Sequence, residues 1–405
     1  MEYRLTEEQR RWRDRARAYA QEVVAPCAAE LDAQVDPAAA FSWKLVEAAN
    51  ERGLRLAPLP VEYGGGGTDF LTSAVMLEEI AAADMGVSVV LAQTWKFAQL
   101  LMELGTPGQH KRWLRRLADN PRGLMAASLT EPGAGSDNVL PYGGTDGGMQ
   151  MSARRVSGGW VLNGQKHYIS NANRADTILA FARTNPEVPV KDGCSAFIVP
   201  ADNSGVRFGV IHDKLGERLA NNSEIFYEDC FVPEEDLLGE ENAILGDVAR
   251  LLRGSNAYAA VCTLGVARTA LTRAILRART RVQGGRPIIG HSVIAAELGQ
   301  LWATLEAART YAFRAAWAAD HADPFDPKMA AAPKLIAAET AFEVTRRSLE
   351  IFGGAGVMRE MGMEKLLRDA TIFLHSDGTN TVMRKKIAAD LQNRTDQQLQ
   401  DLWDW

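Results

Sequence analysis

The sequence predicts an α+β multidomain protein with an N-terminal α-helical domain, a middle β-barrel domain and a C-terminal α-helical bundle. The first third carries apolar residues at helical spacing, whereas residues 124–239 form short runs of β-branched and aromatic residues between turn signals. Long helical patterns return after this region. Because 405 residues exceed the size of one simple core, we place domains at 1–123, 124–239 and 240–405.

The N-terminal region begins with a helix signal. Thr6 and Gln9 have the spacing of a capping box, and the helical pattern that follows is expected to end at Pro26. A long, strongly apolar segment at 87–104 predicts a buried central helix.

The middle and C-terminal regions differ in their residue patterns, with short strand-like runs in the first and long helical patterns in the second. A hairpin is predicted from strands at 149–156 and 160–169, joined by a Gly-rich turn. Further strands are predicted at 177–183, 195–200, 206–211 and 223–232. Three long helices are predicted at about 243–282, 291–320 and 327–352, and their short connections indicate an antiparallel bundle.

Composition excludes several classes of protein. Lys and Arg total 45 against 51 Asp and Glu, so the net charge is −6 and we expect no nucleic-acid partner. The four cysteines lack metal-ligand spacing, which predicts reduced thiols, no metal site and a cytoplasmic location. No apolar run is expected to reach membrane-spanning length, and the charged N-terminus is not typical of a signal peptide, so we expect no membrane association.

The segment 129–137, LTEPGAGSD, contains helix-breaking and polar residues and follows a short strand-like run. A loop of this kind offers backbone amides and hydroxyls to a polar ring. The segment closely resembles the flavin-binding signature of the acyl-CoA dehydrogenase family. The resemblance implies that Leu129, Thr130 and Ser136 contact FAD, and that Ser136 also lies beside the substrate.

A second segment, 163–172, reads NGQKHYISNA. It resembles the second flavin motif of the same family, in which an aromatic side chain packs beside the isoalloxazine and a hydroxyl bonds its edge. On this match Tyr168 is the aromatic residue and Ser170 supplies the hydroxyl. The family more often has Trp at the aromatic position, and Tyr168 retains a flat apolar face.

The C-terminal segment 350–384 resembles the closing elements of the family, a glycine turn near the flavin and a segment with the catalytic base. The match assigns Gly353, Gly354 and Thr379 to the cofactor and Asp377 to the base, where most members have Glu. Aspartate has an ordinary pKa of about 3.9 and is shorter than glutamate by roughly 1.5 Å, so burial and backbone placement must compensate. The alternative interpretation is that Asp377 caps the following helix.

Some members of the family carry the base on an early helix of the C-terminal bundle. Ser255 and Asn256 occupy that place here, and neither side chain can act as a carboxylate base. The resemblance therefore places both beside the substrate and leaves Asp377 as the base. Asn256 stands where many members have Arg.

The family also uses an Arg of one subunit to contact the flavin pyrophosphate of its neighbour. Arg281 matches this residue. Three departures from the family pattern surround this contact: Gly284 for Phe, Ser292 for Gln and Glu350 for Gln. They are expected to alter FAD affinity or to indicate a heteromeric partner.

Together the resemblances identify an FAD-dependent acyl-CoA dehydrogenase fold with a four-helix bundle at its C-terminus. They imply α,β-desaturation of an acyl-CoA or acyl-carrier thioester in fatty acid metabolism. The implied partners are an electron-transferring flavoprotein and further copies of the chain, as a homotetramer or homodimer. Two alternatives remain, a flavin-dependent oxidase or monooxygenase such as a nitroalkane oxidase, and a catalytically silent subunit of a hetero-oligomer.

Overall fold

The computed structural model describes residues 4–135, 138, 144–145, 147–246, 254–322, 325–326 and 328–400. The chain forms two compact units, Met1–Leu252 and Arg253–Trp405. The first unit contains helices followed by a sheet and the second is helical, so the predicted order is confirmed. The exact domain boundaries stay predictions.

The first unit opens with short and medium helices. They are α1 (Glu7–Tyr19), α2 (Ala25–Asp32), α3 (Trp43–Glu51), α4 (Phe70–Ala81), α5 (Met85–Leu104), α6 (Pro107–Gln109) and α7 (Arg115–Asp119). The capping box of Thr6 and Gln9 is confirmed. The expected end at Pro26 is wrong, because a π-helical turn over Ala20–Val24 leads directly into α2. Pro26 falls in the first turn of α2, where a missing N–H costs little.

The predicted central helix is confirmed as α5. Its residues are buried on nearly all sides, as expected for a helix that is apolar all round. Asp84 accepts a hydrogen bond from the Val87 amide and caps its N-terminus. The Trp95 indole donates to the carbonyls of Leu54 and Arg55, which ties α5 to the segment after α3.

An eight-stranded sheet follows. Its strands are β1 (Met125–Ser128), β2 (Ser152–Val156), β3 (Gly159–Ser170), β4 (Thr177–Arg183), β5 (Cys194–Pro200), β6 (Val206–Ile211), β7 (Asn222–Pro233) and β8 (Leu237–Leu238). The hydrogen-bonded order is β6-β7-β3-β2-β4-β5-β8, with β1 parallel to β4. The predicted β2–β3 hairpin is confirmed. All residues of β4 are buried, so this strand lies in the core of the unit.

The second unit is a helical bundle. Its helices are α8 (Ser255–Thr280), α9 (Ser292–His321), α10 (Lys328–Ile351), α11 (Met363–Ile372), α12 (Asn380–Gln392) and α13 (Asp396–Gln400). A two-stranded hairpin, β9 (Val282–Gln283) with β10 (Arg286–Pro287), connects α8 and α9. Helix α10 packs against α8, α9, α11 and α12. The predicted helix at 243–282 is helical at 244–246 and over Ser255–Thr280, and residues 247–253 lie outside the described ones.

The expectation that no segment has membrane-spanning length is wrong for α8. This helix has 26 residues and a mean hydropathy of 1.4 over its most apolar window, which meets the criterion by length and composition. In the same window, 67% of the residues are buried inside the protein. A core helix that is mostly buried meets the same criterion.

Candidate active site

A buried ion pair fixes the first flavin motif to the sheet. Lys166 Nζ lies 2.8 Å from Glu131 Oε1 and 3.2 Å from the Leu129 carbonyl oxygen. The Glu131 carboxylate also accepts hydrogen bonds from the amides of Gln150 and Met151, at 2.7 Å and 2.9 Å. Burial lowers the pKa of Lys166, and the Glu131 charge opposes this effect. The loop is therefore held by a charge network that the sequence analysis did not predict.

The same loop is bonded directly to the second motif. The His167 amide donates to the Thr130 carbonyl at 2.8 Å. Further along β3, Asn222 Nδ2 donates to the Tyr168 carbonyl at 2.9 Å and to Ser170 Oγ at 3.1 Å. The structure thus brings Thr130 next to the strand that carries Tyr168 and Ser170. Leu129 lies at the start of the loop, whereas Ser136 lies outside the described residues.

Tyr168 has an unusual conformation for a strand residue. The pairing of β3 with β7 shifts register between Lys166 and Ile169, and Tyr168 has φ of 60°. Its side chain is 59% exposed although the residues on either side of it are largely covered. A bulky residue at positive φ is rare, and such strained residues cluster at ligand-binding sites. The observation supports the predicted role of Tyr168 as an open aromatic face.

Two histidines contact this tyrosine. The His167 ring stacks on Tyr168 with centroids 4.0 Å apart and an interplanar angle of 9°, and the His212 ring lies 4.8 Å from Tyr168. Burial lowers the pKa of His212, and the nearby His167 adds to this effect. The sequence analysis missed both histidines. His212 follows β6, and no local pattern links it to the second motif.

The arrangement fits a planar polar ring such as the isoalloxazine of FAD. It combines one exposed aromatic face, Tyr168, with nearby hydroxyls on Thr130 and Ser170. In addition, His167 Nδ1 and His212 Nε2 are buried and find no hydrogen-bond partner among the described residues. Buried polar atoms without partners are uncommon unless a ligand satisfies them.

A cavity of about 490 Å³ adjoins the loop of the first motif. It is lined in part by Glu131, Gly133, Gly148, Met151 and Gln165. This volume is within the range of small-molecule sites. At Gly148, with φ of 73°, a Cβ would lie 2.6 Å from Val190 Cγ2, so a side chain there would be both strained and crowded.

In the second unit, the Asp377 turn (residues 373–379) connects α11 to α12. Asp377 is partly buried and has φ of 51°, and Gly378 follows with φ of 80°. The helix cap of α12 is Thr379, whose hydroxyl accepts from the Val382 amide at 3.2 Å. The alternative interpretation of Asp377 as the cap is therefore wrong.

A buried lysine contacts this turn. Lys334 of α10 is fully buried, and its Nζ lies 2.6 Å from the carbonyl oxygens of both Phe373 and Gly378. Burial lowers the pKa of Lys334 to about 8, and Asp377 acts in the opposite direction. The sequence analysis missed Lys334. The sequence signal that could have identified it is a lysine at a core position of an Ala-rich helix.

The remaining predicted residues of the second unit lie at the start of α8, at the end of α8 and after α10. Ser255 and Asn256 begin α8, and Asn256 Nδ2 lies 3.9 Å from Met383 Sδ of α12. The structure thus brings Asn256 beside the helix that follows the Asp377 turn.

Arg281 is exposed at the end of α8, and Gly353 and Gly354 are exposed after α10. Gly353 has φ of 61°, which glycine adopts easily. Glu350 pairs with Arg346 on the same helix face, so its charge is compensated locally. A role of Arg281 and the two glycines toward a second chain stays a prediction.

Comparison with known proteins identifies the family of this chain. Profiles of the N-terminal, middle and C-terminal domains of acyl-CoA dehydrogenases match residues 6–121, 126–230 and 249–392. The chain belongs to the acyl-CoA dehydrogenase family. The predicted resemblance and fold class are confirmed.

Individual relatives agree with this assignment. The probable acyl-CoA dehydrogenase YngJ of Bacillus subtilis (strain 168) is 34% identical, over 96% of this chain and 100% of its own. Butyryl-CoA dehydrogenase from Megasphaera elsdenii has a TM-score of 0.90 and 30% identity, covering 97% of this chain and 100% of its own. The prolyl acyl carrier protein oxidase AnaB has a TM-score of 0.85 and 25% identity, covering 96% of this chain and 100% of its own.

The acyl-CoA dehydrogenases are FAD-dependent oxidoreductases that act on the CH–CH group of acyl thioesters, and this chain is an enzyme of that class. The predicted FAD is confirmed as the cofactor of the family. Among the described residues, no group of three or more His, Cys, Asp or Glu side chains has the arrangement of a metal site.

Proposed function

We propose that the protein desaturates an acyl-CoA at its α,β-bond, with Asp377 as the base, in fatty acid metabolism. The observation that carries the assignment of the base is the conformation of the Asp377 turn. Asp377 is held at positive φ while the hydroxyl of Thr379 caps α12, so the Asp377 carboxylate is not the N-cap of that helix.

In this proposal Leu129, Thr130, Ser136, Tyr168 and Ser170 hold the flavin. The ring of Tyr168 packs against the isoalloxazine, and the hydroxyls bond its polar edge. The family motif also assigns Thr379 to the cofactor, and Arg281, Gly353 and Gly354 act on the cofactor of a neighbouring chain. When bound, FAD supplies the group that accepts the hydride leaving the β-carbon.

Asp377 would remove the α-proton of the thioester. A base must approach the acidic carbon within hydrogen-bond reach, and its basicity rises when bound substrate excludes water. Ser255 and Asn256 would line the substrate side, as would Ser136. Asn256 in place of a cation would reduce attraction for an anionic part of the substrate, which is the feature expected to tune specificity.

The test is an anaerobic titration of the purified flavoprotein with acyl-CoA esters of increasing length and with a simple nitroalkane. We expect thioesters to bleach the oxidised-flavin absorbance of the wild-type protein, and Asp377→Asn to retain flavin without bleaching. Asp390→Asn is the matched control, because Asp390 forms ion pairs with Lys328 and Arg394 away from the turn. Bleaching by Asp377→Asn at the wild-type rate would contradict the assignment of the base.

A second candidate is an oxidase acting on a carrier-bound thioester. It is favoured by the likeness to AnaB over nearly the whole chain. The two candidates differ in how the reduced flavin is reoxidised. A dehydrogenase would react slowly with oxygen and rapidly with an electron-transferring flavoprotein, whereas an oxidase would be reoxidised by air. Bleaching by the nitroalkane alone would favour a nitroalkane oxidase, and retained flavin with no response would favour a silent subunit.

We further propose that the chain forms a homotetramer or homodimer through the second unit. Leu276, Val293 and Trp302 are large apolar side chains that are 55%, 73% and 59% exposed on its helices. Exposed apolar side chains mark an interface where they form one contiguous patch, which is the arrangement that this proposal requires. Light scattering of the wild-type protein and of Trp302→Glu would test the assembly. The four free cysteines suit a reducing compartment such as the cytoplasm.

A further inference from the structure

The ammonium of Lys334 lies at the centre of the Asp377 turn. It donates to the Phe373 carbonyl, where α11 ends, and to the Gly378 carbonyl, directly after Asp377, at 2.6 Å each. It also lies 3.3 Å from Asn380 Oδ1 at the start of α12. A single side chain from α10 therefore bonds both ends of the turn.

This ammonium has almost no contact with solvent, since the Lys334 residue is 0% exposed. A buried charge is unfavourable unless several groups compensate it. The compensation here comes from two main-chain carbonyls, one of them at the negative end of α11, and from the charge of Asp377. The turn and the lysine thus stabilise each other.

Two further titratable groups, Glu339 and His375, lie near the turn in sequence or structure. Glu339 of α10 forms an ion pair with Arg384 of α12 and also accepts from Asn380 Nδ2 at 3.5 Å. His375 lies on the turn itself and is exposed. The charge that acts on the Lys334 ammonium is that of Asp377.

We infer that Lys334 is a positioning residue that fixes the backbone of the Asp377 turn and thereby sets the place of the Asp377 carboxylate. The inference rests on the proposed function in so far as Asp377 is the base. Asp377 has a left-handed backbone, which is uncommon for residues other than glycine, and Gly378 follows with φ of 80°. A short aspartate side chain makes the backbone position decisive for proton transfer.

The first test does not require activity. Hydrogen–deuterium exchange of residues 374–380 is compared between the wild-type flavoprotein, Lys334→Met and Lys334→Arg. Lys328→Met is the control, because Lys328 belongs to the same helix but pairs with Asp326 and Asp390. We expect at least about tenfold faster exchange in Lys334→Met, partial recovery in Lys334→Arg and no change in Lys328→Met. Unchanged exchange in Lys334→Met would overturn the inference.

The second test measures the limiting rate of flavin bleaching and the substrate concentration for half-maximal rate. We expect Lys334→Met to lower the limiting rate per bound flavin by about 10- to 100-fold, with less than about threefold change in the half-maximal concentration. Lys334→Arg should recover part of the rate. An unaltered rate per bound flavin, with only lower stability or flavin content, would show a merely structural role and overturn the inference.

The two proposals fail in different ways. If no thioester bleaches the wild-type flavin, or if Asp377→Asn is fully active, the proposed function is wrong. The exchange of residues 374–380 still decides whether Lys334 holds the turn. If the wild-type protein is active and Lys334→Met is equally fast, the positioning role alone is wrong.

Discussion

The carboxylate of Glu131 lies 2.8 Å from the ammonium of Lys166, inside the first unit. This contact joins the loop that begins at Leu129 to β3, the strand that carries Tyr168 and Ser170. A pair buried in this way contributes less to stability than to geometry, because desolvation offsets much of the attraction. Its function is therefore to hold the loop in one position relative to the aromatic face.

Removing one partner of this pair should be costly. We expect Glu131→Gln to lower the free energy of unfolding by about 3–5 kcal/mol, because Lys166 keeps a buried charge without its counterion. The double variant Glu131→Gln, Lys166→Met should recover part of this loss, because it removes the unpaired charge and keeps an acceptor for the Gln150 and Met151 amides. Urea unfolding measures the effect, with Arg207→Ala as a control that breaks an exposed ion pair with Glu228. A loss below about 1 kcal/mol in Glu131→Gln would contradict the role of the pair.

The strained backbone at Tyr168 predicts opposite effects on stability and flavin binding. Tyr168→Gly should raise the free energy of unfolding of the apoprotein by about 1 kcal/mol, because glycine adopts positive φ without strain. The same variant should bind FAD about tenfold more weakly, since the aromatic contact is lost. Tyr168→Trp should retain affinity. Equilibrium titration of apoprotein with FAD measures this, and Phe231→Ala, at another exposed aromatic residue, serves as the control. Unchanged affinity in Tyr168→Gly would remove Tyr168 from the cofactor site.

The depressed pKa of Lys334 predicts a pH dependence of the reaction. Lys334 carries its charge below its pKa of about 8 and loses it as the pH rises through that value. The neutral amine has fewer N–H donors and no attraction for Asp377, so the limiting rate of bleaching should fall above about pH 8. In Lys334→Arg the guanidinium stays protonated, so the alkaline decline should vanish or move upward by two pH units or more. An identical alkaline limb in both proteins would assign it to another group.

Substitutions of Asp377 test both its role as the base and the importance of its side-chain length. We expect Asp377→Asn to lower the limiting rate by about 10²–10⁴-fold, the usual contribution of a general base. Asparagine tolerates left-handed backbone, so the variant should fold, with a loss of stability limited to the missing charge beside Lys334. Asp377→Glu moves the carboxylate by roughly 1.5 Å and should retain part of the activity, with a changed preference among acyl chains. Stopped-flow reduction of the flavin separates these outcomes. Full activity of the Asn variant would exclude Asp377 as the base.

Much of the fold was predictable because its signals are local. The strands at 177–183 and 206–211 coincide with β4 and β6, and the capping box at Thr6 forms as expected. Pro26 was misjudged because proline breaks a helix interior but is tolerated in a first turn, and the π-helical turn that places it there has no clear sequence signal.

The sequence by itself determined the order of helical and β segments, because periodicity, caps and glycine turns act over a few residues. Its resemblance to the family identified the two flavin motifs and Asp377. Tertiary structure alone decided which buried polar groups meet. Glu131 contacts Lys166 across 35 residues, and Lys334 reaches Gly378 across 44. The free energy of a buried charge depends on the partners that packing brings to it, and no local pattern of residues specifies those partners.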